Sequence, residues 1–341
     1  MKMLRKLLTL IICMAILITL TACKEETKET ITAKKEEITP TPYEKDLLVV
    51  GYAQVGAESD WRRANTLSFQ TTFTEENGYK LLFSDGQQKT ENQIRAIRYF
   101  IQQGVDYIVL APNIESGWET VLTEAKEAGI PVILSDRQID VSDESLYVCW
   151  VGGNFVKEGE DAGKWLAEYL KKQGRSDETI NIVTLQGTIG SSAQVGRTKG
   201  FATVMEEHPN WKMLDMQSGE FTQSKGQEVM EYFLATYDDI DVVIAENDNM
   251  AFGAIDAIKA AGKDPGDDII IVSFDAVRAA FEAMIAGDMN VSVECNPLHG
   301  PRVAEIIQKL ENGEKVDKVQ YVDEDVFPAE TAADIIDTRL Y

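Results

Sequence analysis

The chain has 341 residues, enough for two domains of ordinary size, and carries a formal charge of −24 from 57 acidic and 33 basic side chains. A surface this acidic repels phosphate backbones, which excludes nucleic acid as a partner and accounts for solubility without identifying a ligand. Four cysteines without a CxxC pair and two histidines without a clustered partner make no zinc motif, so no metal and no cofactor are expected.

Residues 1–22 read as a secretory signal. Lys2, Arg5 and Lys6 precede an apolar run, Leu7 to Leu20, of 14 residues. Such a run is too short to cross a bilayer comfortably as a permanent helix, which is the alternative reading. Leu20-Thr21-Ala22-Cys23 resembles the bacterial lipobox, after which the signal is cut and the cysteine carries lipid. Cys23 is therefore the expected lipidation site, and the protein is expected outside the cytoplasm, anchored to the cell membrane. Residues 1–22 hold three bases and no acid, so the remainder carries −27. Lys24 to Tyr43 is rich in Lys, Glu, Thr and Pro and too polar to bury a core, so 23–45 reads as a lipidated cysteine and flexible linker.

From Leu47 short apolar runs alternate with helical patterns. Strands are predicted at Leu47–Ala53, Tyr79–Ser84, Asp106–Ala111 and Ile130–Ser135, and helices at Trp61–Asn77, Lys89–Gln103 and Ser116–Ala128. In the second helix Ile94, Ile97 and Ile101 form a stripe for packing on a sheet, with the alkyl stem of Arg98 beside it. Ser116 and Asn247 are N-cap candidates, and Gly104, Gly129 and Gly262 sit where helices should stop. After Tyr147–Gly152 the alternation restarts. Strands are predicted near Ile180–Leu185, Met213–Gln217, Val242–Ala245, Ile269–Phe274 and Val291–Glu294. Helices fall near Phe155–Lys172, Ala193–Glu207, Ser224–Thr236, Met250–Ala261 and Val277–Ala286. Near-continuous apolar strands alternating with helices mean parallel sheets covered on both faces, and two such runs mean two doubly wound α/β domains.

Ligands of such sheets bind beyond the carboxyl ends of the strands, so two facing domains make one cleft from two such edges. Glu58, Trp61 and Arg62 follow the first strand, and Asp136 and Arg137 follow the fourth. In the second half Arg197, Phe221, Asn247, Asp275 and Glu294 lie at or just after strand ends. Carboxylates accept, guanidinium donates as a fork and Asn does both, which suits the hydroxyls of a polyol; Trp61 and Phe221 offer faces for its C–H side. Adjacent Asp136 and Arg137 can also satisfy each other. Any single polar residue at a strand end is an ordinary loop residue; the weight lies in their recurrence at nearly every strand end.

Enzyme motifs are absent. There is no GxSxG and no HExxH, and Gly190–Thr198 departs from the phosphate-loop pattern, with five residues between Gly190 and Gly196 and Arg197 in place of lysine. Glu58 and Asp275 are the one carboxylate pair weighed for glycoside hydrolysis, and nothing in the sequence fixes their separation. No catalytic residue is expected. Cys149 and Cys295 read either as buried small hydrophobes or as a disulfide.

Asp136-Arg137, Gln186-Gly187-Thr188 with Arg197-Thr198-Lys199-Gly200-Phe201, Ser218-Gly219-Glu220-Phe221 and Asn247-Asp248-Asn249-Met250 occur in the order found in the ribose-binding-like sugar-binding proteins that feed ABC importers, and from Leu47 to Tyr341 the chain resembles that group. Val55 to Arg62 and Asp85 to Gln93 look like its galactofuranose-binding branch. The resemblance implies a type I periplasmic binding protein fold, with crossings near Val151–Asn154, Glu294–Asn296 and Val322–Glu324. The implied domains are 46–150 plus 295–322 and 151–294 plus 323–341. Cys149 and Cys295 then flank two neighbouring crossings, where a disulfide would restrain the hinge.

Implied roles are stacking by Trp61, hydroxyl contacts from Glu58, Arg62, Asp136 and Arg137, and closure by Arg197, Asn247 and Asp275, with Phe221 as apolar wall. Glu294 falls where the group often has Gln, and as a carboxylate it accepts but cannot donate. The implied function is capture of a monosaccharide, with galactofuranose or a related hexose or pentose as best match, and its delivery to an ABC permease by a monomer. The alternatives are a sensor serving a chemoreceptor or histidine kinase and, of another class, an extracytoplasmic carbohydrate-modifying enzyme. A cytoplasmic repressor on this fold would need a helix-turn-helix where the signal and spacer lie.

Overall fold

The computed structural model describes residues 47–341. The signal, the lipid-bearing Cys23 and the spacer lie outside them. The first six-stranded sheet contains β1 (Leu48–Gln54), β2 (Tyr79–Asp85), β3 (Tyr107–Leu110), β4 (Val132–Ser135), β5 (Cys149–Gly152) and β11 (Val319–Tyr321), in the order β11-β5-β4-β3-β1-β2. The second contains β6 (Ile180–Gln186), β7 (Trp211–Ser218), β8 (Val242–Ala245), β9 (Ile270–Asp275), β10 (Val291–Glu294) and β12 (Val326–Pro328), in the order β12-β10-β9-β8-β6-β7. All pairings are parallel except β10 with β12.

The apolar runs behave as strands covered on two faces. In β3, Tyr107 and Val109 join Val50, Tyr52 and Phe69 on one side, while Ile108 and Leu110 join Ile97, Phe100 and Leu122 on the other. The period of two splits one short run between two cores. The second sheet is covered by α4 (Phe155–Lys172) and α5 (Ser192–Met205) on one face. Its other face carries α6 (Gln223–Thr236), α7 (Asp248–Ala260) and α8 (Arg278–Ala286). The chain passes between the two sheets three times, from β5 to α4, from β10 to α9 (Gly300–Glu311) and from β11 to β12. Two doubly wound domains joined by a three-crossing hinge are the architecture expected from sequence. Among the described residues no helix is long and apolar enough to cross a membrane.

Several local expectations are corrected. The helix predicted over Trp61–Asn77 is α1 (Asp60–Thr72) followed by a separate 3₁₀ turn, Glu75–Asn77, which Thr74 caps. Ser116 caps nothing: Gly117 takes φ +93°, which turns the chain, and α3 (Glu119–Glu127) begins after Trp118. In α2 (Thr90–Gln103) Ile97 is buried and Ile94 and Ile101 pack half-buried on the same core, as expected, together with Gln93, Ala96 and Phe100, while Arg98 is exposed and pairs with Glu124 at 2.7 Å across to α3. Asn247 does cap α7, accepting from the Met250 N–H at 2.9 Å, and Gly104, Gly129 and Gly262 each take a left-handed conformation just past a helix. Helix α9, strands β11 and β12 and α10 (Ala329–Ile335) were not anticipated. Cys149 and Cys295 are free thiols, both buried, so they form no bond across the hinge.

Candidate functional site

Strand order reverses on either side of β1 and of β6, so clefts open between β1 and β3 and between β6 and β8 at their carboxyl ends. Ser59 starts α1 beyond β1, its hydroxyl accepting from the Arg62 N–H at 3.1 Å. The first turn of α1 thereby holds Trp61 and Arg62 over the sheet edge.

Arg62 is saturated. Its Nε donates to Glu58 Oε1 at 3.0 Å, Nη1 to Gln54 Oε1 at 3.2 Å and Nη2 to Asp136 Oδ2 at 2.6 Å. Asp136 thus pairs across the sheet edge with Arg62, and its sequence neighbour Arg137 stands 3.9 Å off. Burial raises the Asp136 carboxyl, but Arg62 and Arg137 outweigh it and hold the group below the usual aspartate range. Arg137 donates from Nη1 to the Asn113 carbonyl at 2.9 Å, lies 3.8 Å from Glu58 Oε1 and sits over the Phe221 ring at 5.0 Å. Burial and the neighbouring Arg62 lower it to about 10.

On the facing domain Arg197 of α5 donates from Nε to Glu158 Oε2 at 2.7 Å, from Nη2 to Asp275 Oδ1 at 3.2 Å and from Nη1 to the Glu246 carbonyl. Burial pushes the Asp275 carboxyl well up against the pull of Arg197. The Asn247 amide donates to the Phe221 carbonyl at 3.1 Å and so braces the loop that carries that ring. Phe221 packs over Gly187, where a Cβ would fall 1.9 Å from Cζ. Three of the strand-end residues hold left-handed backbone that non-glycine residues avoid: Asp136 at φ +66°, Phe221 at +60° and Asp275 at +103°. Such strain costs on the order of 1–3 kcal/mol apiece and gathers at ligand sites.

These groups close around a small cavity of about 20 Å³, lined by Glu58, Trp61, Arg62, Asp136, Arg137, Arg197, Phe221, Asn247 and Asp275. Nine of the ten residues singled out from sequence meet there. The tenth, Glu294, does not. Its Oε1 accepts from Arg339 at 2.8 Å and from the Tyr341 hydroxyl at 2.7 Å, and its Oε2 from the Asp325 N–H at 3.1 Å. The C-terminal tail claims that carboxylate, and no motif near Glu294 announces the tail's position.

Sequence reading also missed lining or bracing groups: Gln54, Asn113, Glu158, Phe155, Ala193 and Cys295. A signal existed for Glu158, an acid three residues past Phe155 on the apolar stripe of α4, where it is buried. Trp61 is buried between the domains, its indole N–H donating to the Cys295 carbonyl at 2.5 Å and its ring meeting His299 edge-on. Burial lowers His299 to about 4, so it stands neutral beneath that ring, near enough to Ser135 Oγ (3.0 Å) to hydrogen-bond.

Two atoms of cavity-lining residues, Glu58 Oε2 and Arg137 Nε, are buried with no hydrogen-bond partner among the described residues. The rim is tied across the domains: the Asp60 N–H donates to Asn249 Oδ1 at 2.9 Å and Asn249 Nδ2 donates to Asp60 Oδ2 at 3.0 Å. The Glu115 N–H reaches the Gly190 carbonyl at 2.9 Å, and the Gln138 N–H reaches Ser192 Oγ at 2.8 Å.

Two doubly wound domains, joined by three crossings around a buried polar cavity, define a two-domain ligand-binding protein. A family model described as the periplasmic binding protein domain matches residues 50–315, and the chain belongs to that family; it is a binding protein and not an enzyme, and membership implies a place outside the cytoplasm. The chain is 43% identical over 296 residues to the galactofuranose-binding protein YtfQ of Escherichia coli (strain K12), which covers 86% of this chain and 91% of that protein. A Mycobacterium smegmatis structure in complex with β-D-fucofuranose is 44% identical, with a TM-score of 0.81 over 84% of this chain and 93% of that one. The binding component of the arabinose ABC transporter from Shewanella sp. ANA-3, bound to α- and β-L-arabinofuranose, is also 44% identical, with a TM-score of 0.81 over 86% and 95%.

Proposed function

We propose that this protein is the sugar-binding subunit of an ABC importer, that it takes one monosaccharide in its furanose form, and that it hands the sugar to a permease. Its domains would be 46–150 plus 295–322 and 151–294 plus 323–341. The observation that carries the reading is the pair of unpartnered buried atoms, Glu58 Oε2 and Arg137 Nε, one acceptor and one donor, on residues that line a cavity walled by Trp61 and Phe221. A sugar supplies what each lacks: a hydroxyl that donates to the carboxylate, a hydroxyl oxygen that accepts from the guanidinium, and C–H faces for the rings. The names of the two furanose-bound relatives and of the galactofuranose-binding relative favour the five-membered ring.

A cavity of about 20 Å³ holds about one water, so a sugar enters only after the domains swing apart and the side chains make way. Binding then shifts an open–closed equilibrium, and the closed form is the species offered to the permease. No bond is made or broken. Cys23 would carry the lipid, and the 23–45 linker would keep the trap within reach of the permease; loss of membrane association in Cys23→Ser tests this part.

The ligand is tested by calorimetry against galactofuranose, arabinofuranose and fucofuranose and against sugars locked as pyranosides. Micromolar or tighter binding of a furanose, with pyranosides at least about tenfold weaker, is the expected result. Equal affinity for a locked pyranoside overturns the ring-form assignment, and no binding of any monosaccharide overturns the function.

A further inference from the structure

The three crossings converge on one buried cluster beside the sugar cavity, whose lining includes Cys295. Glu158 lies in the first turn of α4, past the first crossing; Cys295 opens the second, after β10; Glu324 sits in the third, between β11 and β12. One carboxylate oxygen of each glutamate and the Cys295 sulfur all lie within 4.8 Å of one another. Residues spread over 166 positions of sequence, from Glu158 to Glu324, thus offer three metal-ligating atoms to one point.

Glu158 is 2% exposed. Its Oε2 is held by Arg197, while its Oε1, on the side of the cluster, is buried without a hydrogen-bond partner among the described residues. Arg197 engages Oε2 alone, and the Lys157 ammonium is engaged by Asp161. Gly153 makes the room: a Cβ there would fall 2.4 Å from Glu324 Oε1 and 2.6 Å from Glu158 Oε1. A cavity of about 260 Å³ opens beside the cluster, with Glu158 and Glu324 in its wall and Asp161, Glu294, Asp323 and Asp325 around it. This is a path from solvent with a negative field along its length, which draws cations inward.

We propose that Glu158, Cys295 and Glu324 bind one divalent cation of the zinc type at the hinge. Two carboxylates and a thiolate are three protein ligands, and the adjoining cavity leaves a fourth position for water. Calcium requires six to eight oxygens and gains nothing from sulfur, so the thiol selects a borderline ion. The ion supplies Glu158 Oε1 with a cationic partner. Each ligand comes from a different crossing, so the ion fastens all three together. It also fixes the carboxylate whose other oxygen holds Arg197.

The test uses sugar-free, chelator-treated full chain carrying Cys13→Ser and Cys23→Ser, which leaves Cys149 and Cys295 as its thiols. Titration with Co²⁺ is expected to saturate at one equivalent with a near-ultraviolet thiolate-to-cobalt charge-transfer band. Zn²⁺ should displace the cobalt and raise the Tm. The band should vanish in Cys295→Ser and survive in Cys149→Ser, and Glu324→Gln should weaken Zn²⁺ binding about tenfold or more. Absence of both the band and the Zn²⁺-dependent Tm shift overturns the proposal. So does a band that persists in Cys295→Ser, or an affinity unchanged in Glu324→Gln, which needs no loss of packing. Sugar is absent throughout, so the outcome is independent of the function proposed above.

Discussion

Asn249→Ala separates closure from sugar contact. Asn249 is not among the residues lining the cavity, yet it exchanges two hydrogen bonds with Asp60 of the other domain, at 2.9 and 3.0 Å. Both are made only when the domains meet. A hydrogen bond contributes about 0.5–1.5 kcal/mol net, so the pair stabilises the closed form by about 2 kcal/mol, a factor of roughly thirty in the open–closed equilibrium. The backbone contacts of Glu115 with Gly190 and of Gln138 with Ser192 stay in place, so closure is weakened and not abolished. When closure contributes to the measured affinity, the sugar Kd should rise about thirtyfold. Calorimetry gives the affinity, and stopped-flow fluorescence of the buried Trp61 gives the rates. The loss should lie in the off-rate, because encounter with the open form does not involve Asn249. A Kd within about threefold of the unmodified protein, or a loss confined to the on-rate, would refute the idea that these two bonds hold the ligand-bound state shut.

Arg137→Ala should weaken sugar binding well over about tenfold in calorimetry, since it removes a buried donor and leaves the Asn113 carbonyl without its 2.9 Å partner; unchanged affinity removes Arg137 from the site. Gly187→Ala should drive the Phe221 ring out of place, lowering stability by about 1–3 kcal/mol in chemical denaturation together with sugar affinity, because the new methyl would lie 1.9 Å from Cζ. Glu246 is buried, accepts from the Gly187 N–H and the Thr198 hydroxyl, and is raised by burial from 4.5 to about 7. Its folded value exceeds its unfolded one, so ionisation costs nothing below pH 4.5 and progressively destabilises the fold up to about pH 7, by about 3 kcal/mol in all. Glu246→Gln does not titrate. Its stability relative to the unmodified protein should therefore improve by that amount between pH 4.5 and pH 8, and a difference flat with pH would show the carboxyl to be unperturbed.

The sequence by itself determined the alternation of strands and helices, because apolar period and cap chemistry are local: β3, β4, β8 and β10 are buried at every position, and Asn247 caps α7. It also determined which residues stand at strand ends, and a doubly wound sheet brings those ends to one edge, so nine of ten candidates reach the cavity. Residues far apart in sequence found their partners only through the tertiary structure. Asp136 is adjacent to Arg137 yet pairs with Arg62, 74 positions away, because the sheet edge sets Arg62 2.6 Å from it. Glu294 leaves the cavity for Arg339 and Tyr341, since the tail folds back beside β10. Cys295 has no second cysteine near it in sequence; the hinge brings it to Glu158 and Glu324, one residue from each crossing. Local periodicity records which face of an element is buried. It carries no record of where the chain crosses between domains, and here the crossings decide which charges meet.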